Sequence, residues 1–198
     1  MKNLISLFLI FFSAIAFSQN AEAVLKSLQN KFNSISSLSV DVTQKTNAKS
    51  VQTGKMFFKK ENNLRIEFPY QTIVSNGSTS WNYNKKDKKV IISNYDETGS
   101  GLLSINYLIY QYPSECELSL SPEGDKQILI LKPKSNRNNM GVVKLYITKE
   151  NLIDRAIISN KDSGTIEVLF SNYKLNQKLS DSQFTFIPPE GTAVVDLR

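Results

Sequence analysis

Alternation dominates this chain. From residue 37 onward apolar and polar residues trade places over one short segment after another, and a few turn residues join each segment directly to the next. "SLSVDVTQK" sets Leu38, Val40 and Val42 against Ser39, Asp41 and Thr43, the pattern of a strand with one wet face. "GKMFFKK", "NLRIEFP", "QTIVSNG", "STSWNYN" and "KKVIISN" follow, with "KENN", "PY", "NGS" and "NKKDK" as turns. Later come "CELSLS", "KQILILKP", "GVVKLYIT", "LIDRAIIS", "GTIEVLFSNY" and, last, "SQFTFIP". Strands this short, each joined straight to its neighbour, predict an antiparallel meander of about eleven strands rather than crossover helices.

Two segments break the period. Val24, Leu25, Leu28, Phe32 and Ile35 recur at helical spacing after Asn20, a plausible cap, and predict one amphipathic helix. "LLSINYLIY", flanked by Gly99, Gly101 and Pro113, has apolar residues in too many directions for an exposed strand and predicts a short apolar helix. Elsewhere apolar residues recur on one face: Leu64, Ile66 and Phe68; Trp81 and Tyr83; Leu145 and Ile147; Ile166, Val168 and Phe170. A sheet with one apolar face must curl on itself or be covered, and only the two helical segments are available as cover. At the C-terminus "FTFIPPEG" reads as the last strand, with Phe184 and Phe186 on one face, Pro188 and Pro189 as its stop and Gly191 as a turn back into "TAVVD". Truncation after Gln183 should therefore unfold the protein.

The first residues belong to another category. "MKNLISLFLIFFSAIAFSQ" has Lys2, an apolar run and then small residues, which predicts a signal peptide over 1–18 with cleavage before Gln19 and one domain over 19–198. Without Lys2, 23 basic residues face 18 acidic ones, a net charge of +5. The cations are scattered over turns. Nucleic acid is not an expected partner, because it would call for a continuous stripe with stacking aromatics. Cys116 is the only cysteine and sits in an alternating segment, so it reads as a buried, inert thiol.

Little here suggests catalysis. The chain has no histidine, and its carboxylates stand singly. Ser171 and Lys174 match a Ser-x-x-Lys spacing, but a strand sends those two side chains to opposite faces. By elimination the chain reads as a binding protein: no catalytic residue, no metal ligand and no cofactor is expected.

Three stretches together resemble the LolA-type periplasmic outer-membrane lipoprotein carrier family. They are the helix leading into "SLSVDVTQK", the stretch "GKMFFKKENNLRIEFPYQTIVSNGSTSWNYN", and the closing "FTFIPPEGTAVVD". The resemblance implies an incomplete, unclosed antiparallel barrel whose concave apolar face is covered by the N-terminal helix and a short helical lid. It also implies a monomeric chaperone of the periplasm of a diderm bacterium. Such a chaperone takes acylated lipoproteins from an inner-membrane ABC exporter to an outer-membrane acceptor, with transient membrane contact only. A paralogue carrying a glycolipid or lipid-linked pigment, or a lipid- or lipoprotein-sensing domain, would share the same features.

For the acyl-chain cavity the expected residues are Val40, Val42, Leu64, Ile66, Phe68, Trp81 and Tyr83, with Leu102, Leu103 and Leu108 from the lid. Where the family has Lys-Arg-Pro-Asn, this chain reads Lys59-Lys60-Glu61-Asn62. The family's arginine is associated with holding the lid closed, so the resemblance assigns lid gating to Lys60. Lysine keeps the charge and loses the planar fork of donors. Arg65, beside Leu64 and Ile66, is expected to point outward into solvent.

Overall fold

The computed structural model describes residues 20–95, 106–123, 126–135, 140–160 and 164–198; the expected signal peptide lies outside them. A helix over 20–34, α1, leads into β1 (Ser37–Thr46). β2 (Ser50–Lys59), β3 (Asn63–Glu67), β4 (Gln71–Asn76), β5 (Thr79–Asn84) and β6 (Lys89–Asn94) follow as hairpins. A π-helical turn (Tyr107–Gln111) and a 3-10 turn (Tyr112–Glu115) form the second helical segment. β7 (Cys116–Glu123), β8 (Lys126–Pro133), β9 (Met140–Ile147), β10 (Ile153–Asn160) and β11 (Gly164–Leu175) form a second meander, and β12 (Ala193–Asp196) returns to the edge of the first.

All twelve strands share one sheet in the order β12-β6-β5-β4-β3-β2-β1-β11-β10-β9-β8-β7. The two meanders meet where β1 pairs with β11, and β12 and β7 are left as separate edges. The sheet is therefore open. Its curvature has local causes. The β1–β11 register slips between Ser39 and Asp41, and such a bulge bends the strand and tightens its twist. In β2 the backbone of Gly54 runs so close to β3 that a Cβ there would lie 2.1 Å from the Glu67 carbonyl oxygen and 2.7 Å from the Phe68 ring. Only glycine permits that approach.

Cross-strand partners point to the same face, so register sorts the side chains. Val40 and Val42 of β1 lie opposite Met56 and Gly54, and Met56 lies opposite Ile66 of β3. On the other side of β1, Val168, Ala156, Leu145 and Leu129 continue the same concave face across β11, β10, β9 and β8. This face forms one buried cluster with Ala21, Val24, Leu28 and Phe32 of α1 and with Tyr107, Leu108, Ile109 and Tyr112 of the second helical segment.

The C-terminal stretch differs from the strand expected there. Asp181–Phe184 is a 3-10 turn capped by the Ser180 hydroxyl, and residues 185–189 form no strand. The strand is the later "AVVD", which pairs in parallel with β6 after Gly191 turns the chain at φ +74°. The period-2 pattern of Phe184 and Phe186 reflects packing of another kind. Phe184 is fully buried on the convex side of β3 and β4, and the Phe186 ring lies 5.2 Å from that of Tyr83. Val74 and Val90, also fully buried, belong to this second, smaller core. Arg65 serves it as well: its Nη1 donates to the Gln183 carbonyl at 3.2 Å and its Nε to Glu67 at 2.7 Å, so it holds the tail rather than facing open solvent.

Candidate functional site: a lidded apolar face

Six of the expected cavity residues converge. Val40, Val42, Leu64, Ile66, Phe68 and Leu108 are all buried within the concave cluster. Leu102 and Leu103 lie outside the described residues. Trp81 and Tyr83 do not join the six. Register pairs Arg65 with Val74 and Val74 with Trp81, and Thr72 with Tyr83, which directs both aromatics to the convex face. Trp81 borders a concave groove only from its place in β5, between Ser80 and Asn82. The expectation for these two fails at β4. Ile73 and Val74 are adjacent and both apolar, so alternation alone does not say which of β4's faces turns inward.

The lid is pinned at one end of the sheet by the turn between β2 and β3. Glu61 and Asn62 both have positive φ, 69° and 61°, in a tight three-residue turn whose flanking residues Lys59 and Asn63 lie opposite each other. Proline, fixed near −65°, cannot occupy either position, which accounts for its absence from this stretch. The turn projects two latches. Lys60 Nζ donates to the Asn33 carbonyl at 3.0 Å, placing a cation on the last turn of α1, where the helix dipole favours it. Asn62 Oδ1 accepts a hydrogen bond from Asn106, at the start of the second helical segment. A cavity of about 170 Å³ lies beneath, lined by Phe32, Phe58, Asn62 and Tyr110 among others.

Side chains that sequence reasoning passed over complete the closure. Gln29 Nε2 donates to the Ile109 carbonyl at 3.0 Å, and the Tyr110 hydroxyl bridges the Gln29 carbonyl (3.2 Å) and Asn33 Oδ1 (2.7 Å). The Tyr112 hydroxyl reaches across to the Gly141 carbonyl at 2.5 Å. Burial raises the pKa of Tyr107, Tyr110 and Tyr112, so all three remain neutral donors at physiological pH. The signal for them was present: a tyrosine inside an apolar lid must find a partner for its hydroxyl. Burial also pushes the Cys116 thiol up to about 11, consistent with an inert packing residue.

Outside the lid the concave face changes character. Over β3 to β6 a groove of about 430 Å³ is lined by Leu64, Ile73 and Ile91 with Ser75, Ser80 and Ser93. It adjoins a cavity of about 670 Å³ at the opposite end of the strands, where Gln52, Gln71, Asn82 and Asn84 form the floor and Tyr70, Lys86 and Lys89 the rim. The arrangement is a deep apolar face closed by its own lid, continued by an open amide-bearing trough. It can sequester an apolar chain only by exchanging the lid's side chains for the ligand's.

An open antiparallel half-barrel with a helical lid over its concave face defines a class of binding protein, and the comparisons place the chain within it. Residues 33–187 match the family model described as outer membrane lipoprotein carrier protein LolA, and the chain belongs to that family. It is 27% identical to an outer-membrane lipoprotein carrier protein of Legionella pneumophila (strain Corby), over 98% of this chain and 99% of that one. A carrier protein of the same description from Histophilus somni (strain 2336) is 28% identical, over 99% and 97%. An uncharacterized protein of Methanocaldococcus jannaschii is 27% identical over 97% of this chain, which spans 59% of that relative's length. Among solved structures, an uncharacterized conserved protein from Thermus thermophilus shares the fold with a TM-score of 0.60 at 16% identity, over 89% of this chain and 99% of that one.

Proposed function

We propose that this protein is a periplasmic chaperone that shields the acyl chains of lipoproteins, receiving them from an inner-membrane ABC exporter and passing them to an outer-membrane acceptor after export by the segment 1–18. One observation carries the reading: the largest apolar surface of the sheet is covered by a lid held at few polar points, Lys60 to Asn33, Asn106 to Asn62, and Gln29 and Tyr110 between the two helical segments. Exposed acyl chain costs about 0.8 kcal/mol per methylene, so a sixteen-carbon chain costs on the order of 12 kcal/mol in water and needs an escort. A permanently empty pocket that recovered all of that energy would not release its cargo. A lid that refills the face lowers the net affinity by the energy of its own burial, roughly 1.5–3 kcal/mol for each of Leu108 and Ile109. Binding and release then differ by amounts a partner can shift.

The amide-bearing trough favours a second reading of the cargo. Gln52, Gln71, Asn82 and Asn84 offer donors and acceptors to a polar headgroup, as a glycolipid would present. Purification from the periplasm followed by mass spectrometry of bound material separates the two. Triacylated lipoprotein supports the first and glycolipid the second, while protein free of any lipid speaks against carriage.

A further inference from the structure

The end of the sheet remote from the latches carries a run of lysines, Lys85, Lys86, Lys88 and Lys89. Three hairpin tips lie at that end: residues 47–49 between β1 and β2, 68–70 between β3 and β4, and 85–88 between β5 and β6. Lys85 locks the second to the third, its backbone N–H donating to the Tyr70 carbonyl at 2.9 Å and its Nζ to the Phe68 carbonyl at 2.7 Å. On this joined platform Lys86, Lys88 and Lys89 are exposed and, among the described residues, form no ion pair. The tips hold a single carboxylate, Asp87, which accepts a hydrogen bond from Asn84 at 2.7 Å. Beside the lysines one large aromatic side chain stands in water, Tyr70 at 69% exposure. Tyr70, Lys86 and Lys89 are also the rim of the trough.

We infer that this end of the half-barrel docks on the surface of an anionic phospholipid bilayer, with the trough facing the membrane. The charge is complementary, since three exposed lysines within residues 86–89 outnumber Asp87 and Glu190 of the adjoining turn and meet the negative potential of acidic headgroups. The aromatic side chain suits the same partner: a tyrosine standing clear of the protein places its ring among the headgroups and its hydroxyl in water. Docking this way holds the open trough against the lipid while the latches at Lys60 and Asn62 remain on the far side, free to release the lid.

The inference goes beyond the cargo reading, and its test needs no cargo. Delipidated protein is sedimented with vesicles containing phosphatidylglycerol and, separately, with vesicles of phosphatidylcholine alone, at low and high salt. The wild type should bind the anionic vesicles at low salt and lose them at high salt. K86S/K88S/K89S, altered only at exposed positions, should weaken that binding about fivefold per lysine and on the order of a hundredfold in all, and Tyr70→Ser should weaken it on both sides of the salt series. Equal partition to the two vesicle types, or a triple variant that binds as well as the wild type, would overturn the inference. A wild type that ignores vesicles but is captured through these lysines by an acidic protein domain would do the same.

Discussion

Lys60 stands where the family resemblance puts an arginine, and it reaches the backbone of α1 with one donor where the guanidinium fork offers several. The latch is correspondingly weak. Removing it in Lys60→Ala should cost no more than about 1 kcal/mol of stability, because the side chain is exposed at the surface. It should also raise the apparent affinity for a fluorescent acyl probe about two- to fivefold, since the closed lid competes with the ligand. Hydrogen exchange at the amides of residues 28–34 should quicken in parallel, and Lys60→Arg should slow both. Unchanged probe affinity in the alanine variant would detach Lys60 from the lid. A second residue-scale prediction concerns Glu167 on the convex face. Burial raises its pKa, but Lys45 at 3.2 Å and Arg155 at 2.6 Å outweigh that and hold it below the usual carboxylate value. A lowered folded-state value stabilises the protein above the unfolded carboxylate pKa, and the contribution disappears as the pH falls through the folded value. Thermal melts should therefore show Glu167→Gln less stable than the wild type at neutral pH, with the gap closing as the pH falls below the unfolded carboxylate value and on through the lower folded one.

At the scale of the element, the C-terminal stretch is a fixture of the convex face. Phe184→Ala should destabilise by about 3–5 kcal/mol, because the ring is fully enclosed between the tail and the strands. Truncation after Gln183 removes that ring, Phe186 and β12 together, and denaturant titration should find no cooperative transition; a folded truncated protein would refute the role given to the tail. These elements also show what the sequence could and could not say. Eleven alternating segments became strands β1 to β11, since each exposes one face and buries the other, and that contrast is written in the residues. The tail misled because Phe184 and Phe186 alternate while the chain between them forms no ladder, its two following prolines removing the donors a strand would use. For Trp81 and Tyr83 the strand was legible and the face was not, because β4 is apolar at two successive positions and parity is lost on crossing it. The family motif pointed to the position of Lys60, and its gating of the lid is part of the proposed function. The motif's partners at Asn33 and Asn106 depend on contacts between residues far apart in the chain, which no local pattern encodes.

For the whole molecule, the sheet has two apolar faces of unequal size, and each has its own cover. The small convex core is sealed by the tail, with Arg65 bonded to the Gln183 carbonyl and Lys59 paired with Asp181. The large concave core is sealed by segments whose polar ties are few and lie near the edge of the apolar surface. In the proposed function the lid is the cover that opens, since the tail has strand pairing through β12 and the described residues of the lid, 106–115, have none. This division is the central claim, and photolabelling tests it most directly. A fatty acid carrying a diazirine near its methyl end, bound to the protein and irradiated, should label Val40, Val42, Leu64, Ile66, Phe68 and Leu108 as read by peptide mass spectrometry. Label recovered instead on Val74, Tyr83, Val90 or Phe184 would contradict the account, because the acyl chain would then occupy the face that the tail is built to close.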